Sequence, residues 1–181
     1  ASFREEVLHS TGLGWLTWSS RQWALDKEDK RTTYMASELI STVRYQATIT
    51  EEKSRRAMLV RAAKMLASAG SRRSALSLAM TAPEISKVPE DFDRDPLLFN
   101  VQNGTIDLRT GHMRQHSPAD LVTRIAPIDY DANAQCPTFM QFLDEITLGR
   151  DDLKQFLQTF FGYVLTGMTG EQIFTVFYGN G

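Results

Sequence analysis

With 181 residues, 42% of them hydrophobic and 23% charged, the chain can bury a real core and has the make-up of a soluble globular protein of one domain or two small ones, not a disordered one. A single cysteine, Cys136, excludes an internal disulfide and a cysteine-rich zinc site and suits a reducing cytoplasm. The net charge of −2 hides an asymmetry, because residues 51–80 carry seven basic and two acidic side chains whereas residues 81–181 carry seven and fourteen.

The opening ASFREEVLHS lacks the basic, apolar, small-residue series of a secretory leader, and no apolar stretch reaches the ~18 residues of a membrane span. The stretch GWLTWSSRQWALD, from Gly14 to Asp26, predicts two short aromatic strands around a polar turn at Ser19-Ser20. It holds all three tryptophans, Trp15, Trp18 and Trp23. A small local core accounts for them; an aromatic platform for unpaired bases would need exposed ring faces and nearby cations, and only Arg21 is close.

Residues 27–80 read as helical. Lys27 to Arg44 forms one segment and Glu51 to Ala69 a second, with Thr50 as N-cap and Glu51 and Glu52 in the first turn. At about 100° per residue, Met58, Leu59, Ala62, Met65, Leu66 and Ala69 fall within an arc of roughly 120°, while Arg56, Arg61 and Lys64 point away. Gly70-Ser71 is expected to break this helix, and a third runs from Arg72 to Met80. The result is a helical bundle with a basic outer face, which is either plain solvated charge or a row of phosphate contacts.

Between Ala82 and Pro96 the chain reads APEISKVPEDFDRDP, with Glu84, Glu90, Asp91, Asp93 and Asp95 among three prolines, which predicts a linker or extended crossing segment. Proline-bounded loops rarely preorganise carboxylates, so a metal site is not expected there. Beyond it, Leu97 to Gln102 and Thr105 to Leu108 flank Asn103-Gly104, the preferred pair of a type I′ hairpin, and His112 to Gln115 supplies a third strand. His112 and His116 are four apart, but across a strand and turn that spacing carries no metal-ligand meaning. Ser117-Pro118 resembles a helix start.

Pro137 to Leu165 predicts two amphipathic helices. Phe139, Phe142, Leu143 and Ile146 line the first, and Leu153, Phe156, Leu157, Phe160, Phe161, Val164 and Leu165 line the second, all read as core. Asp151 is placed to cap the second, Gly162 to mark a close approach, and Thr166-Gly167 to close the helix. The final run IFTVFYGNG, Ile173 to Gly181, pairs a strand-like segment with turn chemistry, as at the start of a phosphate-binding loop, although by itself it reads first as an ordinary strand and turn. The expected fold class is α+β, mostly helical, with a small antiparallel hairpin or meander and a terminal strand.

The series LLFNVQNGTIDLRTG, HSPADLVTRIAPIDYDANAQCPTFMQFLDEI and LKQFLQTFFGYVLTGMTGEQIFTVFYGNG resembles the helicase-associated region of phage, plasmid and poxvirus primase/helicases, which are superfamily 3 replicative helicases. The resemblance covers roughly residues 15–181 and is closest from Leu97 onward. It implies that Gly179, Asn180 and Gly181 open the nucleotide loop of a P-loop ATPase domain whose lysine and Mg²⁺-binding hydroxyl follow in a longer polypeptide. The complete protein is then expected to use ATP and Mg²⁺, whereas this chain alone has no catalytic residues, metal or cofactor.

The layout implied is an aromatic hairpin with a basic helical bundle over residues 1–82, an acidic linker over 83–96, a meander with a helical collar over 97–172, and the first motor strand and loop over 173–181. The function implied is that of an accessory module linking a primase domain to an ATP-driven DNA helicase domain of the same polypeptide, in the cytoplasm of the host if phage- or plasmid-encoded. Single-stranded or template DNA is the expected ligand, with Arg55, Arg56, Arg61, Lys64, Arg72 and Arg73 as the candidate contacts. The alternative is a collar that touches only protein, as a homo-oligomer or against the primase. No membrane partner is expected.

Overall fold

The computed structural model describes residues 6–178 and is α+β, with five α-helices and two small sheets among those residues. The chain divides into two compact units. One comprises the residues up to Arg94 together with Ser117–Arg124; the other comprises Asp95–His116 together with the residues from Ile125 onward.

The first unit is built on a four-stranded sheet in the order β3-β2-β1-β4, from β1 (Val7–Ser10), β2 (Gly14–Trp18), β3 (Trp23–Leu25) and β4 (Ser86–Lys87). β1, β2 and β3 form an antiparallel meander, and β4 joins β1 in parallel. Side chains alternate across a strand, so neighbouring residues of β2 face opposite ways. Trp15 joins Val7 and Ile85 on one face, covered by Met35, Leu76, Ala79, Met80 and Ala82. Leu16 joins Leu8, Trp23 and Phe92 on the other, covered by Trp18 and Leu121. A strand buried on both faces has no polar side, which is why GWLTW carries almost none.

The segment Ser117–Arg124 closes the second face. Expected as a helix start, it makes only a 3₁₀ turn over Pro118–Asp120, because Leu121 adopts a left-handed φ of 52° and turns the chain out. The Trp23 indole N–H donates to the Pro118 carbonyl at 2.9 Å, giving a buried donor its partner, and the Trp23 backbone N–H donates to Val122 at 2.8 Å, covering the β3 edge. The proline-rich stretch is woven into the same unit: Ile85 and Phe92 are core residues, and the Asp93 carboxylate accepts from the Thr123 N–H at 2.8 Å and from the Thr123 hydroxyl.

Helix α1 spans Lys30–Ile49, α2 Lys53–Leu66 and α3 Ala69–Ala79. The expected bounds shift for local reasons. Asp26, held by its own N–H to the Trp15 carbonyl at 2.8 Å, accepts from the Arg31 and Thr32 N–H groups at 3.0 and 2.7 Å and from the Thr32 hydroxyl at 2.6 Å, so the helix begins beyond it. Thr50 ends α1 instead of capping α2, turning its N–H and hydroxyl back to the Gln46 carbonyl at 3.1 and 2.7 Å. The break expected at Gly70-Ser71 falls at Ala67-Ser68, where the Ser68 hydroxyl caps α3 by accepting from the Ser71 N–H at 3.1 Å.

The second unit carries an antiparallel meander of β5 (Leu98–Val101), β6 (Gly104–Asp107) and β7 (His112–Arg114). The hairpin is where the sequence places it, but the turn differs. Gly104 pairs with Val101, so the two loop residues are Gln102 and Asn103, and neither has the positive φ of a type I′ turn. Asn103 instead fixes the loop by its side chain, exchanging hydrogen bonds of 2.9 Å with both backbone groups of Tyr130. Gly104 is needed for closeness: a Cβ there would lie 2.7 Å from the Arg114 carbonyl oxygen and from Met113.

Arg109 grips Asp95 with both terminal guanidinium nitrogens, donating at 2.7 and 3.1 Å. Helices α4 (Pro137–Thr147) and α5 (Asp151–Leu165) form at the expected positions and pack as a hairpin. Between them Leu148 and Gly149 take φ of 52° and 73°, and the Gly149 N–H returns to the Asp144 carbonyl at 2.9 Å, a glycine-closed helix end. Asp151 does not cap α5; its carboxylate pairs with Lys154 at 3.0 Å. The expected close approach lies at Gly167, whose N–H meets the Pro96 carbonyl at 2.8 Å, and not at Gly162, where an added Cβ would meet nothing.

Two further expectations are corrected. Of the apolar faces of α4 and α5 only Leu143 and Leu157 are buried, whereas Phe139, Phe142, Ile146, Phe156, Phe161, Val164 and Leu165 remain exposed. The run Ile173–Tyr178 forms no strand, because no neighbouring backbone among the described residues supplies a ladder for it. A β-rich sequence without a paired edge gains no sheet hydrogen bonds.

Two outcomes follow from these contacts. Burial opposes the charge on Asp26, but the hydrogen bonds from Thr32 and Arg31 outweigh it and hold its pKa below the usual carboxylate value. A depressed carboxylate stabilises the fold fully above its unfolded pKa of ~3.9 and loses that contribution as pH falls through the lower folded pKa. Asp26→Ala should cost about 1 kcal/mol at pH 7 in denaturant titrations, since solvent screens a half-exposed carboxylate, with the gap to wild type closing below about pH 4. Gly104→Ala should cost about 1–3 kcal/mol, since the Arg114 carbonyl cannot step aside without opening the β6–β7 pairing; an unchanged melting temperature would refute that close approach.

Candidate nucleic-acid interface

Helix α2 supplies no residue to either core cluster of the first unit; it packs against α1 and α3 instead. Only Ala63 is fully buried along it, with Leu59, Ala62 and Leu66 half-buried on the same side. At about 100° per residue, Arg61 and Lys64 stand on the opposite side with Lys53 beside them, and Arg56 reaches out from the edge, nearly in line with Ala63. They line an open groove of about 490 Å³ with Ala57, Val60 and Met65, and no acidic residue is in the lining.

The structure brings together three of the six cations singled out in the sequence, Arg56, Arg61 and Lys64. Lys53 joins them; its spacing of three, eight and eleven residues from those three was the available signal. Arg55 projects about 180° from Lys64 around the helix and does not belong to the groove. Arg72 and Arg73 are on α3, and Arg72 is turned back to the Ala67 carbonyl at 3.3 Å.

Among the described residues none of these seven cations forms an ion pair. Arg56 donates through Nε to the Thr50 carbonyl at 2.9 Å, which fixes the side chain and leaves its terminal nitrogens for another acceptor. An unpaired guanidinium and ammonium row along one helix suits a repeating anion, since each phosphate can replace the water on one cation. Contacts of this kind to phosphate position a strand and carry no sequence information of their own.

The other candidates are structural. Trp15 and Trp23 are 2% and 3% exposed, so two of the three indole faces are not open to bases. Asp91 and Asp93 do not converge: Asp91 accepts from the Val88 N–H at 3.1 Å, while Asp93 holds Thr123 and faces Arg124 at 3.9 Å. The hydrogen bonds from Arg109 hold the Asp95 carboxyl below the usual range. His116 joins Asn100 at 2.9 Å beside the buried Thr105. His112 sits apart on the exposed β7 strand. Among the described residues no three histidine, cysteine or carboxylate side chains gather as a metal site, and no helix is long and apolar enough to cross a membrane. Gly179, Asn180 and Gly181 lie outside the described residues.

An α+β module with a cationic helix standing off its core is the class that fold and surface define. The chain belongs to the D5 N-terminal-like family, which it matches over residues 1–148. That family is a domain of phage and viral primase–helicase proteins, which makes this an accessory replication domain. The match takes in the whole basic bundle, the meander and α4. The chain is also similar to the "Uncharacterized mitochondrial protein ymf21" of Marchantia polymorpha, with 26% identity over 97 residues covering 47% of this chain and 53% of the relative. It thus spans about half the length of that curated relative.

Proposed function

We propose that the chain is the module that joins a primase domain to an ATP-driven superfamily 3 DNA helicase of the same polypeptide, and that it holds single-stranded or template DNA on α2. The observation that carries this reading is the unpaired cationic groove of Lys53, Arg56, Arg61 and Lys64 in a family of primase–helicase domains. ATP and Mg²⁺ belong to the motor of the complete protein, with Gly179, Asn180 and Gly181 at the start of its nucleotide loop. The working compartment is the cytoplasm, that of the host for a phage or plasmid protein.

Phosphate contacts make affinity fall with salt, because each neutralised phosphate releases counterions. In fluorescence-anisotropy titrations at several salt concentrations, R61E/K64E should weaken DNA binding at every concentration and reduce the salt slope by about 1–2. Unchanged affinity would remove α2 from the interface.

The exposed phenylalanines of α4 and α5 favour a second reading, a collar that packs against neighbouring subunits. Light scattering over a concentration series separates the two. A concentration-dependent oligomer that binds no DNA supports the collar; a monomer that binds DNA supports the first reading.

A further inference from the structure

Helix α2 exposes more apolar surface than a solvated face needs. Its sequence carries an apolar arc, yet the fold buries only the part around Ala63, leaving Met58 and Met65 63% and 66% exposed. The two methionines are seven residues apart, so they stand about 10 Å apart along the axis and within about 20° of each other around it. Arg61 lies between them in height and about 40–60° to one side, with Lys64 beyond it. A row of two methionines thus runs alongside the cation row on one exposed helix surface.

We propose, on the reading that α2 binds nucleic acid, that Met58 and Met65 make this helix select an unpaired strand over a duplex. A duplex turns its phosphates outward and keeps its base faces stacked inside, so it can satisfy the cations but offers the methionine row only charged backbone and water. A single strand offers both: phosphates to Arg61 and Lys64, and free aromatic base faces to the neighbouring thioethers. Methionine sulfur makes favourable contacts with aromatic rings, and its unbranched side chain adapts to whichever base arrives, so such a row favours unpaired bases without reading their sequence. Charge complementarity decides for a polyanion here, since the groove beside the row contains four cations and no acid.

The test compares a labelled oligothymidylate with a duplex of the same length, for wild type, M58Q/M65Q, M58F/M65F and R61E/K64E. Glutamine keeps helix propensity at exposed positions, and circular dichroism verifies that each variant is folded. M58Q/M65Q should lose about fivefold or more in single-strand affinity with less than a twofold change for duplex, and M58F/M65F should regain or exceed wild-type preference for the single strand. Equal losses on both ligands, or no change on the single strand, would overturn the role of the methionines while R61E/K64E still weakened both. A wild-type chain that binds neither ligand would overturn the underlying reading as well.

Discussion

Strand β2 is buried on both faces, and the arrangement of the first unit depends on that constraint. Five residues cannot hold a sheet together alone, so Trp15 and Leu16 each require a cover on their own side. The helical side is supplied by α1 and α3 with the loop that follows, and the other by Phe92 and the strap ending in Leu121 and Val122. Both covers are then used up on the sheet. Helix α2 is left to pack on other helices, which bury one narrow stripe of it and leave the rest to water. The exposed basic and apolar rows of α2 are thus a consequence of where the sheet spends its partners.

Carboxylates do much of the joining of loops to elements in this chain. Asp26 ties the end of β3 to the first turn of α1. Asp93 fastens the strap through Thr123, and Asp95 holds the second meander turn through Arg109. Each carboxylate is taken up by these local donors. Charged hydrogen bonds of this kind orient loops that have few apolar residues of their own to pack.

How much of this was legible depended on whether local chemistry or distant covering decided the outcome. The β2–β3 hairpin, the β5–β6 hairpin, the helical stretches and the pair α4 and α5 follow from periodicity and turn residues, which act within a few positions. Gly104 was found for the wrong reason: its neighbourhood in sequence suggests positive φ, whereas the requirement is the Arg114 carbonyl ten residues away. β1 and β4 were missed because VLHS and SK are too short to show a period, and they become strands only beside β2 and β1. The return of Ser117–Arg124 to the first unit has no local signal, since Leu121 and Val122 look like any loop residues until Trp23 is beside them.

The same limit explains the candidate interface. Sequence reading found three cations of the row, Arg56, Arg61 and Lys64, because like charges at helical spacing are visible without knowing the packing, but it put Met58 and Met65 on one apolar arc with Leu59 and Leu66, because periodicity marks which residues are apolar and not how many of them find cover. The helices α4 and α5 repeat that overestimate with phenylalanines. The two surpluses differ in chemistry. On α2 the uncovered apolar row runs beside unpaired cations, the juxtaposition on which the proposed preference for an unpaired strand rests. On α4 and α5 the basic side chains beside the hairpin turn are taken up locally, Lys154 by Asp144 and Asp151 and Arg150 by Asp152, so no free cation row runs beside the exposed phenylalanines there. An uncovered apolar surface names its partner only when unspent charge stands next to it, and among the described helices that condition is met on α2.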